Sequence, residues 1–182
     1  MPFIQTPFDG LVIFEPTIFR DSRGYFFESY NEALFHQNGF RYNWVQDNQA
    51  QSTFGVVRGL HFQAPPFAQT KLIRALYGKI LDVVVDLRKS QPTFGQSFTI
   101  ELSDENNRQL LIPAGFAHGY SVLSETATVM YKCDQLYNKG SEGGINPLDP
   151  GLGINWKVPA DQVILSEKDK LYPSFINLDS PF

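Results

Sequence analysis

Residues 55–71 read Gly-Val-Val-Arg-Gly-Leu-His-Phe-Gln-Ala-Pro-Pro-Phe-Ala-Gln-Thr-Lys. Val56, Val57, Leu60 and Phe62 favour a pleated, half-buried strand, and Pro65-Pro66 ends it because proline brings no ladder donor. A second strand pattern opens at Lys71 with Leu72, Ile73, Ala75 and Leu76. Arg58, His61 and Lys71 stand within this apolar company. Burying such groups without partners is costly, so they are either paired structurally or line a site.

Outward from this stretch the same texture repeats. Strand-like runs fall at residues 44–50, 56–62, 71–77, 80–87, 96–102, 109–112, 118–123 and 127–137, each bounded by Gly, Pro, Asn or Asp. Shorter runs at 11–14 and 25–30 precede them. Tyr77-Gly78-Lys79-Ile80 and Asp104-Glu105-Asn106-Asn107 read as hairpin connections. Residues 31–37 form a helix candidate with Asn31 as N-cap and Gly39 just past its end, and 166–169 open a second. The rest of the tail from Asn138 reads as loop. So many strands with so little helix exclude βαβ units and leave a sandwich, a jelly roll or a small barrel. Period-2 alternation over 80–87 puts Leu81, Val83, Val85 and Leu87 on one face. Ile80, Asp82, Val84 and Asp86 take the other, and its two carboxylates are read as a solvated outer face.

The chain has 182 residues, and with no repeat or linker it is read as one domain over 1–182. Sixteen Phe, eight Tyr and two Trp suit a β architecture with wide interior pockets. A net charge of -4 supplies no basic field for nucleic acid or anionic lipid, although a few local cations suffice for a small anionic ligand. Cys133 is the only cysteine, so there is no intrachain disulfide and a reducing cytoplasm is expected. The N-terminus lacks signal-peptide character, and no apolar run approaches the roughly 18 residues of a membrane span.

Three histidines are present. His36, in the helix candidate, reads as ordinary surface. His61 and His118 lie on strands, where a histidine is either a hydrogen-bonded core residue or a working one. Pro113-x-Gly115-x-x-His118 resembles the second cupin motif, whose histidine faces a jelly-roll interior. Metal-binding cupins add His-x-His and a glutamate; here the matching place reads His61-Phe62-Gln63, a poor metal set. No metal is therefore expected.

The resemblance then becomes more specific. Arg58-Gly59-Leu60-His61-Phe62-Gln63, Gln69-Thr70-Lys71-Leu72, Asp82-Val83-x-Val85-Asp86-Leu87-Arg88 and Pro113-Ala114-Gly115-Phe116-Ala117-His118-Gly119 are similar to the deoxythymidine-diphosphate (dTDP) 4-dehydrorhamnose 3,5-epimerase family. Arg20-Asp21-x-Arg23-Gly24, Gln46-Asp47-Asn48, Tyr131, Glu142-Gly143-Gly144-Ile145 and Leu165-Ser166-Glu167-Lys168-Asp169 extend the likeness nearly end to end.

The resemblance implies an all-β, cupin-type jelly roll of antiparallel strands with a few short helices, acting as a homodimeric, cofactor-free isomerase. Its reaction would be epimerisation of a dTDP-4-dehydro-6-deoxy-sugar at C3 and C5. No Gly-x-Gly-x-x-Gly follows a strand, so no nicotinamide is expected. Proton exchange beside a ketone needs a base, an acid on the opposite face and a positive group for the enolate oxygen. By resemblance His61 is the base, with Asp169 on its other ring nitrogen. Tyr131 is the acid and Lys71 the enolate stabiliser, its ammonium expected to stay charged. A histidine's reference pKa of about 6.5 suits a base near neutral pH.

Substrate contacts carry over to Arg23, Glu28, Gln46, Asn48, Arg58, His118, Glu142 and Lys168. Of these, Arg23, Arg58 and Lys168 suit a diphosphate. Read alone, Asp169 is also the end of a Ser166-x-x-Asp169 capping box, Tyr131 a core aromatic and Lys71 a solvated strand-end lysine. Phe26 and Phe27 either wall the thymine or pack in the core. Simple alternation sets Arg58 and His61 on opposite strand faces, so a shared ligand requires a bulge at Gly59 or a neighbouring subunit. Ile145-Asn146-Pro147-Leu148-Asp149-Pro150 replaces the family's Arg-Trp pair with Asn146-Pro147, which puts contacts from that loop in doubt. The alternatives are an epimerase acting at one carbon or on a related nucleotide sugar, a metal-dependent cupin oxygenase, and a non-catalytic sugar-nucleotide-binding cupin.

Overall fold

The computed structural model describes residues 2–182. Its strands begin with β1 (Phe3–Gln5), β2 (Val12–Phe14), β3 (Phe19–Asp21), β4 (Gly24–Phe26), β5 (Gln46–Thr53), β6 (Val57–Gln63) and β7 (Lys71–Tyr77). They continue as β8 (Lys79–Asp86), β9 (Ser97–Ser103), β10 (Gln109–Ile112), β11 (Phe116–Val122), β12 (Thr126–Cys133) and β13 (Glu142–Gly144). The helices are α1 (Glu32–Gln37) and α2 (Glu167–Lys170), with a few single 3-10 turns in the tail. Asn31 caps α1 by accepting the Leu34 N–H at 3.1 Å, as its position before the apolar run dictates.

Two antiparallel sheets form the body, ordered β1-β2-β10-β7-β12-β5 and β13-β6-β11-β8-β9, with β3–β4 a separate hairpin. Between the sheets lies one core, in which Ile73, Ala75, Leu110 and Val129 meet Ile80, Val84, Leu102, Phe116 and Val122. The outer face of the five-stranded sheet is covered by the tail, where Ile145, Leu152 and Trp156 pack on Leu60, Leu81, Val83 and Val85. At the outer face of the other sheet, Phe35 of α1 packs with Phe14, Leu72 and Leu111. The expected all-β, antiparallel jelly roll is the observed architecture.

Several local expectations are corrected. The two connections read as hairpins are corners: β7 and β8 belong to different sheets, as do β9 and β10. Turn residues mark a change of direction, but a jelly roll uses the same chemistry to pass a chain from one sheet to the other. The acidic face of 80–87 is not solvated. Asp82 and Asp86 are both 0% exposed, because β8 is central to its sheet and covered on both sides. The run 25–30 pairs only over Gly24–Phe26, and the tail read as loop supplies β13 as an edge strand.

One irregularity positions the site. His118 pairs with His61 and Tyr120 with Arg58, so β6 spends three steps where β11 spends two. The extra residue is a bulge at Gly59-Leu60. Gly59 has φ +135°, and a Cβ there would sit 2.6 Å from Gly119 Cα, so only glycine fits. The bulge resolves the parity conflict within a single chain: Arg58 and His61 line the same cavity.

Candidate active site

A cavity of about 450 Å³ is lined by β5, β6, β7, β11, β12 and residues 164–169, a volume within the usual range for small-molecule sites. It brings together His61, Lys71, Tyr131 and Asp169 with Arg58, His118 and Lys168.

His61 Nε2 and Asp169 Oδ1 are 2.7 Å apart, and the carboxylate is almost wholly buried while the imidazole is 31% exposed. Asp169 reaches His61 because α2 starts beneath it. Ser166 Oγ accepts the Asp169 N–H at 3.1 Å, capping the helix. The capping and pairing readings of Asp169 are therefore both correct, one for its backbone and one for its side chain. Burial works to raise the Asp169 pKa, but hydrogen bonding and charge from His61, with help from Ser166 and the Gly59 backbone, hold it below the ordinary carboxylate value.

Across the cavity, the β7–β12–β5 ladders set Ile73, Tyr131 and Asn48 in one row and Lys71, Cys133 and Gln46 in the next. The Lys71 ammonium lies 5.7 Å from the Tyr131 ring centroid. Burial, with smaller contributions from Cys133 and Tyr120, pushes the Tyr131 phenol up to about 12, so it is protonated at neutral pH. Burial draws the Lys71 pKa down, while Cys133, Asp82 and Glu142 push the other way. Lys71 is not the solvated strand-end lysine of the simpler reading.

The remaining expected residues divide by position. His118 is 7% exposed, with Nε2 2.9 Å from Asp82 Oδ2, making it a paired core histidine that also lines the cavity. Arg58 Nε donates to Ser52 Oγ at 3.0 Å. Lys168 and Glu142 form an ion pair at 2.5 Å, and the Tyr137 hydroxyl donates to Glu142 at 2.9 Å. Gln46 Nε2 donates to Asn48 Oδ1 at 2.9 Å, and these two and Glu142 stand outside the cavity lining. Arg23 and Glu28 do not join this group. Arg23 is ion-paired with Asp21 on the β3–β4 hairpin, and Glu28 accepts from Asn31 beside a separate hollow lined by Phe14, Phe19 and Phe26. Phe26, 66% exposed, is no core residue, while Phe27 packs under the Arg74 guanidinium.

Asp82, which pairs with His118, Tyr120, which lines the cavity, and Tyr172, whose ring packs on His61, escape a sequence reading. Asp82 shares a strand face with Ile80 and Val84, and a carboxylate between two aliphatic residues was the available signal. Nothing marks Tyr172. The Asn146-Pro147 departure lies outside the cavity lining: Pro147 C=O accepts the Trp156 indole N–H at 2.8 Å, a scaffold contact. Among the described residues no cluster of three or more His, Cys, Asp or Glu has metal-site geometry.

Comparison with known proteins agrees over nearly the whole chain. The family described as dTDP-4-dehydrorhamnose 3,5-epimerase matches residues 5–177. The enzyme of that name from Methanothermobacter thermautotrophicus is 48% identical over 169 residues, covering 92% of this chain and 91% of that protein. The crystal structure of the Elizabethkingia anophelis NUHP1 dTDP-4-dehydrorhamnose 3,5-epimerase superposes with a TM-score of 0.91 at 49% identity, covering 96% of each chain. That of the Legionella pneumophila Philadelphia 1 dTDP-6-deoxy-D-glucose-3,5-epimerase, solved with dTDP-4-keto-L-rhamnose, gives 0.92 at 44% identity, covering 97% of this chain and 94% of the other. With this cupin-type fold and these matches, the chain belongs to the dTDP-4-dehydrorhamnose 3,5-epimerase family.

Proposed function

We propose that this protein is an isomerase that epimerises C3 and C5 of dTDP-4-dehydro-6-deoxy-D-glucose, giving dTDP-4-dehydro-L-rhamnose for dTDP-L-rhamnose synthesis. The observation that carries this reading is the 2.7 Å His61–Asp169 pair facing a cavity that also holds Tyr131 and Lys71, in a chain of this family. Asp169 accepts the N–H at Nε2, which leaves Nδ1 with the lone pair. Nδ1 takes the proton from the carbon beside the ketone, and the C–H electrons flow into an enolate. The Lys71 ammonium stabilises its oxygen. Tyr131 then delivers a proton to the opposite face of that carbon and is reprotonated from solvent, while His61 releases the abstracted proton to solvent. One C–H bond breaks and one forms, so the step is redox-neutral and calls for no cofactor.

Arg58 and Lys168, the cations on the cavity besides Lys71, suit the diphosphate. Glu142 holds Lys168 in place, and His118, Gln46 and Asn48 offer hydrogen bonds to sugar or base. Arg23 and, just beyond its hairpin, Glu28 would serve a neighbouring subunit's cavity, because that hairpin carries Phe19, Tyr25 and Phe26 at more than half exposure, as an assembly surface would. This supports a homodimer. The buried free thiol of Cys133 fits a reducing cytoplasm, and no helix among the described residues is long and apolar enough to cross a membrane.

Proton NMR of the 4-keto nucleotide sugar in heavy water, with catalytic enzyme and a chelator, tests the reading. We expect deuterium at both C3 and C5, none with His61→Ala, and exchange without inversion with Tyr131→Phe. Exchange at one carbon makes the protein a mono-epimerase, and no exchange makes it a binding protein.

A further inference from the structure

Tyr172 follows α2, and its ring stands edge-on to the His61 imidazole, with centroids 5.6 Å apart and planes at 62°. Strand β13 clears room for it. A Cβ on Gly144 would lie 2.5–2.7 Å from three atoms of the Tyr172 ring, and Gly144 is the residue that faces His61 in the β13–β6 ladder. From the helix side the Lys168 ammonium lies 6.0 Å from the same ring centroid. The phenolic oxygen is buried, with the Lys168 ammonium as its polar neighbour. Contact with His61 and the glycine cradle place the ring itself.

A histidine's terminal torsion is broad and roughly two-fold, so rotamer preference alone does not set the plane of the ring. The bond to Asp169 fixes one atom, Nε2, and leaves the ring free to pivot about that contact. A second contact is needed to aim Nδ1. Edge-to-face packing of two rings is directional enough to supply it.

We propose that Tyr172 is a positioning residue: its ring sets the plane of His61 so that Nδ1, the nitrogen not engaged by Asp169, meets the substrate carbon. This rests on His61 being the base. It assigns Tyr172 an effect on kcat rather than on substrate binding, because a misaimed base slows the proton transfer while Lys168 keeps its ion pair with Glu142 and so its place for the diphosphate.

The test compares full-length wild type, Tyr172→Leu, Tyr172→Phe and His61→Ala for kcat, KM and deuterium incorporation with the 4-keto nucleotide sugar. Tyr172→Leu should lose about tenfold or more in kcat with KM little changed, since a misplacement of about 1 Å at a reacting group can cost about a hundredfold. Tyr172→Phe, which keeps the ring, should restore most of the loss. A wild-type kcat in the leucine variant overturns the proposal, as does a phenylalanine variant that falls equally far, which would transfer the role to the hydroxyl. Should the leucine variant fail to fold, imidazole NMR decides. With three histidines in the chain the spectrum is sparse, and the His61 ring protons should carry a ring-current shift that persists in Tyr172→Phe; its absence from wild type overturns the proposal. Exchange that survives His61→Ala refutes the base assignment itself, whatever Tyr172 does.

Discussion

Asp169 is held through both backbone and side chain: its N–H donates to Ser166 and its Oδ1 pairs with His61. Asparagine at this position keeps the shape and can keep the cap, but it can present its amide N–H₂ to His61 and favour the wrong tautomer. We expect Asp169→Asn to lower kcat by about a hundredfold or more, within the range ascribed to general acid–base catalysis, as steady-state kinetics will show. The native pKa of this carboxyl is depressed, so its contribution to stability is whole above the ordinary value of 3.8 and is lost as pH falls through the lower native value. Urea midpoints of wild type and Asp169→Asn should therefore converge in strong acid. The residue scale is also where the sequence was most informative. His61, Lys71, Tyr131 and Asp169 are four unlike residue types in a fixed order, and such a pattern survives without coordinates. Tyr172 and Asp82 were not legible, because their roles are set by what a third strand or a returning tail puts beside them.

The bulge in β6 is the element that lets Arg58 and His61 share a cavity. Gly59→Ala would drive a Cβ into the backbone of β11 at a positive φ. The cost should be about 2 kcal/mol or more, a typical sum for an unfavourable backbone conformation and a clash. Chemical denaturation reads that loss. Activity should fall further than stability explains, since a regularised strand turns one of the two side chains away from the cavity. Alternation located most strands to within a few residues, and it also exposed the conflict that required the bulge. The corners at Gly78 and at 104–107 were misread because a turn's residues report local φ and ψ, while the choice of sheet is made by distant strands.

On the scale of the whole molecule, the tail is a structural layer, closing the outer face of the five-stranded sheet with Trp156 at 5% exposure. Its indole donates to Pro147, and its carbonyl accepts from Ser121 at 2.6 Å. Trp156→Ala should cost about 3–5 kcal/mol and lower Tm by roughly 10 °C for a chain of this length, measurable by scanning calorimetry. Because the same tail carries Ser166, Asp169 and Tyr172, turnover should decline below the temperature at which the sheets melt. His61 and its carboxylate stand 108 positions apart, and all the strands come before the second of them. A ribosome that stalls short of Ser166 has therefore already released the means to build both sheets, yet its product has no carboxylate for His61. Turnover thus certifies that the chain was made at least through Asp169, and proteolysis that removes this segment would take the carboxylate from His61 while the strands themselves remained whole.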